Sequence, residues 1–223
     1  MLARYRSVVD AGGSIGSTAT PPLGQLALVV VAAALCVTSV AAGGSSSRPG
    51  LGAELKRGGL VLVLRHATTD FSKPDRDPVV LSDCTTQRNL SARGRVEAQA
   101  IGHHARRLRL QIGRVLASPY CRTLETARLA FGRARPSRTL LNTIAERHDA
   151  QWRRQMRAVR KLFGTRPRPG ALTVLVTHGS VVVDAARLEP LEGETLVLRP
   201  LGSSHFRLIG RILATDWRLL GAG

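Results

Sequence analysis

Two histidines in this chain stand at the same kind of place. His66 comes after the apolar run Leu60-Val61-Leu62-Val63-Leu64 and directly behind Arg65. His178 ends the run Ala171-Leu-Thr-Val-Leu-Val-Thr177 and stands before Gly179. Short apolar runs rich in β-branched residues are the pattern of strands buried on both faces. A third segment, Ser118-Pro-Tyr-Cys-Arg122-Thr-Leu-Glu-Thr-Ala127, follows a similar short run, Gly113-Arg-Val-Leu-Ala117. Ligands of open α/β sheets bind beyond the carboxyl ends of the strands, so all three segments can converge on one edge. A guanidinium fork grips phosphate oxygens two at a time, and a neutral imidazole serves as nucleophile or base. Neighbouring arginines push the imidazole pKa down and keep it neutral. The chemistry implied is the handling of a phosphate. Any one segment alone is weak evidence, because arginine is abundant throughout the chain.

The elements that must position these residues read as alternating strands and helices. Phe71 to Asn89 is a long irregular loop rich in Asp, Pro, Ser and Thr, of the kind that lines a site. Ser91 is placed to cap a helix running to about Leu110, with Val96, Ala100, Ile101, Ala105 and Leu108 inward. A second helix begins at Pro119 and stops at Gly132. Leu140 and Leu141 end a third strand. Asp149 to Phe163 forms a basic amphipathic helix, broken by Pro167 and Pro169. A helix follows Gly179, and Thr195–Arg199 and His205–Ile212 pair as a hairpin across Gly202. The alternation predicts an α/β fold, a three-layer α/β/α sandwich with a mainly parallel sheet.

The 223 residues suffice for one good-sized domain and an appendage. Thirty-three basic residues face fifteen acidic ones, a net charge of +18, with aromatic residues at only 4%. The arginines are dispersed and stacking platforms are scarce, which argues against a nucleic-acid partner and for an anionic substrate. Leu23 to Ala42 is uncharged and apolar, behind Arg4 and Arg6. Residues 1–42 therefore read as an export signal or a retained signal anchor, which would associate the chain with a membrane. The expected location is outside the cytoplasm, periplasmic or membrane-anchored. Residues 43–57 read as a linker, 58–215 as the domain and 216–223 as a tail. Outside Cys36, the two cysteines are Cys84 and Cys121, which an oxidising compartment would allow to pair; two unrelated thiols fit equally. His103 and His104 are helix neighbours that do not share a face, and no metal-ligand motif is present. Nothing in the sequence sets an oligomeric state.

With the three segments in this order, residues 58 to 212 resemble the histidine phosphatase superfamily, the phosphoglycerate-mutase-like fold. The family's Arg-His-Gly is Arg65-His66-Ala67 here, its second arginine motif is Ser118 to Ala127, and its second histidine before glycine is His178. Ala67 in place of glycine is the clear departure. The resemblance implies that His66 is the nucleophile and becomes a phosphohistidine, while Arg65, Arg122 and His178 hold the phosphoryl oxygens. It implies no metal and no cofactor. Thr68, Thr69 and Gly179 are expected to contact substrate, with Gln87, Arg88 and Cys121 near the rim. Glu146 lies at the family's spacing after Arg122 for the general acid; an ordinary solvated Glu fits the same residue. Asp70 and Glu125 are lesser candidates. The implied function is a phosphatase acting on a phosphorylated small molecule or protein side chain. A phosphotransferase of the mutase type and a non-catalytic envelope protein binding anionic ligands are the alternatives.

Overall fold

The computed structural model describes residues 50–143 and 149–221, all within the second of two units, 42–223. Glu146, Cys36 and the apolar stretch of residues 23–42 lie outside the described residues. Six strands form one sheet: β1 (Val61–Arg65), β2 (Ile112–Ala117), β3 (Arg135–Pro136), β4 (Leu172–Thr177), β5 (Thr195–Gly202) and β6 (His205–Ile212). Their order is β3-β2-β4-β1-β5-β6. The first four run parallel; β5 is antiparallel to β1, and β6 to β5.

Alternation along the strands divides the core in two. Leu62, Leu64, Val174 and Val176 face the helices α1 (Leu51–Arg57), α2 (Ala92–Arg107) and α3 (Cys121–Phe131). Val61, Val63, Leu175, Leu196 and Leu198 face α4 (Ala150–Gly164) and α5 (Gly179–Ala186). The sandwich has three layers, and its sheet is mainly parallel.

Local signals set most boundaries. The Ser91 hydroxyl accepts from the Gly94 amide at the start of α2, and Gly132 ends α3 in the left-handed region. Four expectations are corrected. The 43–57 linker holds α1, whose Leu51 and Leu55 are buried. The 216–223 tail begins with a 3-10 turn, Asp216–Gly221, that buries Trp217. Leu140 belongs to a 3-10 turn, Arg138–Leu140, and the third strand is Arg135–Pro136 upstream of it. Val96, expected inward, is 64% exposed, and the buried face of α2 is Gly94, Ala98, Ile101, Gly102 and Ala105.

Candidate active site

The strands β1, β2 and β4 end side by side. The His66 amide donates to the Thr177 carbonyl at 3.0 Å and the Ser118 amide to the Val176 carbonyl at 3.0 Å. This lacing brings the three sequence segments to one edge. Between them lies a cleft of about 310 Å³ lined by Arg65, His66, Arg88, Arg122, Asn142, His178, Gly179, Ser180, Val183 and Glu189.

His66 is buried, and its Nδ1–H donates to the Ala67 carbonyl at 3.0 Å. A carbonyl only accepts, so the proton sits on Nδ1 and Nε2 keeps its lone pair. Burial holds the His66 pKa well below 6.5; Arg122, then Arg65 and Arg88, add to this, while the bond to Ala67 opposes it. The ring of His178 stands 5.5 Å away, edge to face. Its Nε2 is 2.9 Å from the Ser118 hydroxyl, and burial with the neighbouring His66 and Arg122 also holds it neutral. Two uncharged imidazoles therefore face a strongly cationic wall.

Three guanidinium groups make that wall. Arg122 is 1% exposed, stacks over Tyr120 at 4.4 Å, and gives its Nη1 to Asp75 at 2.9 Å and to the Arg88 carbonyl at 3.2 Å. Arg65 donates Nη1 to the Pro190 carbonyl at 3.0 Å and Nη2 to Glu192 at 3.3 Å. Arg88 donates Nη1 to the Thr69 hydroxyl at 2.8 Å, and lies 3.5 Å from the same Glu192 oxygen. Glu192 and Asp75 thus orient three cations without cancelling them. Arg122 and Arg88 each retain an Nη2 with no partner among the described residues, the kind of donor a phosphoryl oxygen takes. Gly179 leaves room for Arg65: a Cβ there would meet Nη1 at 3.3 Å.

Arg65, His66, Arg122, His178 and Gly179 come together, and Arg88 joins them as a full member of the wall. Thr68 and Thr69 do not line the cleft. The Thr69 hydroxyl donates to Glu192 at 2.9 Å and so braces the wall from behind, whereas the Thr68 hydroxyl donates to Glu97 of α2 at 2.7 Å. Asp70 is half-buried and does not line the cleft, and the Ser72 hydroxyl and amide hold its pKa down, which keeps it ionised and unsuited to donating a proton. Glu125 pairs with Arg95 at 2.6 Å away from the cleft. Glu192 and Asp75 escaped the sequence reading, as did Glu189 on the lining. The signal for the two glutamates was local: three of the chain's fifteen acidic residues fall within Glu189-Pro-Leu-Glu-Gly-Glu194.

Cys84 and Cys121 form a disulfide that fastens the 71–89 loop to the first residue of α3. Beside it, buried Gln87 accepts from the Cys121 amide at 2.8 Å, where Tyr120 offers no side-chain cap. The pair of attachments holds Asp75 and Arg88 against Arg122.

Residues 61–166 match the family model for the histidine phosphatase superfamily, branch 1. No curated protein matches the chain. Among solved structures, the protein histidine phosphatase SixA complexed with tungstate is 16% identical over 70% of this chain and 98% of its own, with a TM-score of 0.47. TTHB049 from Thermus thermophilus is 19% identical over 69% and 99%, at 0.46. A phosphoserine phosphatase mutant from Entamoeba histolytica, in complex with phosphoserine, is 11% identical over 68% and 95%, at 0.45.

Proposed function

We propose that this chain, matched over residues 61–166 to the histidine phosphatase superfamily, is a phosphatase that works through a phosphate bound covalently to His66. The observation that carries the reading is the neutral, buried His66 with its Nε2 lone pair free, set among Arg65, Arg88, Arg122 and His178. In the first step, Nε2 attacks phosphorus while the ester bond to the leaving group breaks, and the leaving group takes a proton. In the second, water attacks the phosphohistidine, phosphate leaves and the imidazole is restored. The arginines stabilise the charge spread over the transferring group, which is where catalysis of phosphoryl transfer is concentrated. Glu146 is the proposed proton donor; Glu189, on the rim of the cleft, is the second candidate. The substrate is a phosphomonoester or a phosphorylated protein side chain.

Rapid quenching with labelled substrate tests this. Wild type should accumulate an acid-labile, base-stable adduct, and His66→Ala should lose it together with several orders of magnitude in rate. Replacing the acid, by Glu146→Gln or Glu189→Gln, should slow an alkyl phosphate far more than an activated aryl phosphate, because only the poor leaving group needs the proton. Undiminished activity in His66→Ala would refute the mechanism.

The proposal extends to location: the chain leaves the cytoplasm through residues 1–42. The apolar stretch and the paired Cys84 and Cys121 support this, since disulfides persist in oxidising compartments. Among the described residues no helix is long and apolar enough to cross a membrane. N-terminal sequencing after cell fractionation should find the protein starting near Gly43 or held in the membrane.

A further inference from the structure

The end of the sheet opposite His66 is dominated by arginine. Arg109 precedes β2 and Arg114 lies at its start, Arg133 precedes β3, and Arg166 and Arg168 precede β4. The parallel strands are level here, with Val61 and Arg114 both beside Thr173, so these turns share one end. Arg207 of β6, paired with Arg199 of β5, joins them, because β5 has Leu198 beside Val61. All six side chains are exposed. Arg133 donates to the carbonyls of Ile112 and Gly113. The other five have no ion-pair partner among the described residues.

Arg114, Arg166 and Arg168 line a cleft of about 420 Å³, larger than the catalytic one. Arg207 lines another, of about 370 Å³, with Gly50, Arg57 and Arg199. Glu54 is the one carboxylate on either wall, and it pairs with Arg57 and Arg199. At the catalytic end, by contrast, Arg65, Arg88 and Arg122 each lie against Glu192 or Asp75. The domain is polarised: each arginine of the wall at its mouth lies against a carboxylate, whereas at its foot only Arg57 and Arg199 do.

We infer that the foot is a docking face for an anionic phospholipid surface, a role separate from the reaction at His66. Each arginine brought near such a surface is worth about fivefold in partitioning. Leu201, 52% exposed at the β5–β6 hairpin, adds an apolar side chain beside Arg199 and Arg207, as suits the boundary between headgroup and acyl chain. A single-stranded nucleic acid would need aromatic platforms. Among the described phenylalanine, tyrosine and tryptophan residues the one exposed ring, Phe71, lies at the other end under Arg88. Gly50, which residues 43–49 precede in the sequence, lies on a wall of the foot. Docked this way, the cleft opens away from the lipid.

Hydrogen exchange of the full chain on vesicles tests the face locally, whatever residues 1–42 do. Vesicles rich in phosphatidylglycerol should protect segments 106–114, 164–173 and 199–207; phosphatidylcholine vesicles should not. Raising the salt concentration should release the protection in wild type. The triple variant R114E/R166E/R168E should lose it while cleaving an aryl phosphate at the wild-type rate. Should that variant fail to fold, the salt dependence of wild type decides. Equal exchange on both vesicle types, or protection confined to 71–89, would overturn the inference. So would protection of these segments by a single-stranded oligonucleotide and not by phosphatidylglycerol.

Discussion

Glu192 connects more of the catalytic wall than any histidine does. Its carboxylate takes Arg65 at 3.3 Å, the Thr69 amide at 3.0 Å and the Thr69 hydroxyl at 2.9 Å, and it lies 3.5 Å from Arg88. Glu192→Gln keeps the shape and removes the charge that aligns two guanidinium groups. Steady-state kinetics on an aryl phosphate should show kcat lowered by roughly 10²-fold, the cost of misplacing a catalytic group by about 1 Å. The histidines set a pH dependence of definite sign. His66 and His178 stay neutral in the fold well below 6.5, whereas in the unfolded chain they protonate from about 6.5 downward. The unfolded chain then binds more protons, so stability falls as pH drops below about 6.5. The melting temperature should fall between pH 7 and pH 5, and His66→Asn should flatten that profile. At this scale the sequence was informative where a strand fixes the residue: Arg65, His66 and His178 follow apolar runs, and Arg122 sits in a spaced motif. Glu192 and Asp75 come from loops whose paths no periodicity encodes. Thr68 and Thr69 show the converse, since adjacency to His66 did not tell which way their hydroxyls turn.

Among the elements, α2 shows why a buried face can be misread. A search for large apolar residues selects Val96, yet the helix packs through its smallest ones. A Cβ on Gly94 would fall 1.9 Å from the Thr68 carbonyl oxygen, and one on Gly102 would fall 2.1 Å from that of Ala130. Close approach to the first strand's exit and to α3 demands glycine there, and hydrophobicity carries no sign of it. Leu140 was misplaced for a related reason: full burial in a 3-10 turn looks, in sequence, like the end of a strand. The 71–89 loop depends on a covalent tie. Cys84 and Cys121 are 37 residues apart, and closing a loop of that length stabilises by about 4 kcal/mol in the chain-entropy model. Urea denaturation of the Cys84→Ser, Cys121→Ser double variant should show a loss of that order. Because the loop also carries Asp75 and Arg88, KM for an aryl phosphate should rise in the same variant.

For the whole molecule, the layering and the mainly parallel sheet were legible in the alternation of apolar runs with helical patterns. The domain's edges were not. Gly50 and the serines before it read as linker, yet α1 begins at Leu51, and Trp217 lies buried in what read as a tail. Short elements with one or two anchoring residues carry too little pattern to stand out. The order of the sheet has a consequence of another kind, in time. β4 lies between β1 and β2, which never touch each other, so the centre of the sheet is filled by a strand synthesised long after its two neighbours. Until residues 172–177 emerge, β1 and β2 have no shared partner, and the first histidine has no second one to face. A chain halted at residue 170 should be cut rapidly by protease and unfold without cooperativity, whereas one extended through Ile212 should resist. Ribosome-bound chains of graded length, probed by pulse proteolysis, would show protection arriving in one step after β4. On that prediction most of the domain waits, unfolded, for β4, an interval in which a polypeptide can still be threaded through a narrow channel.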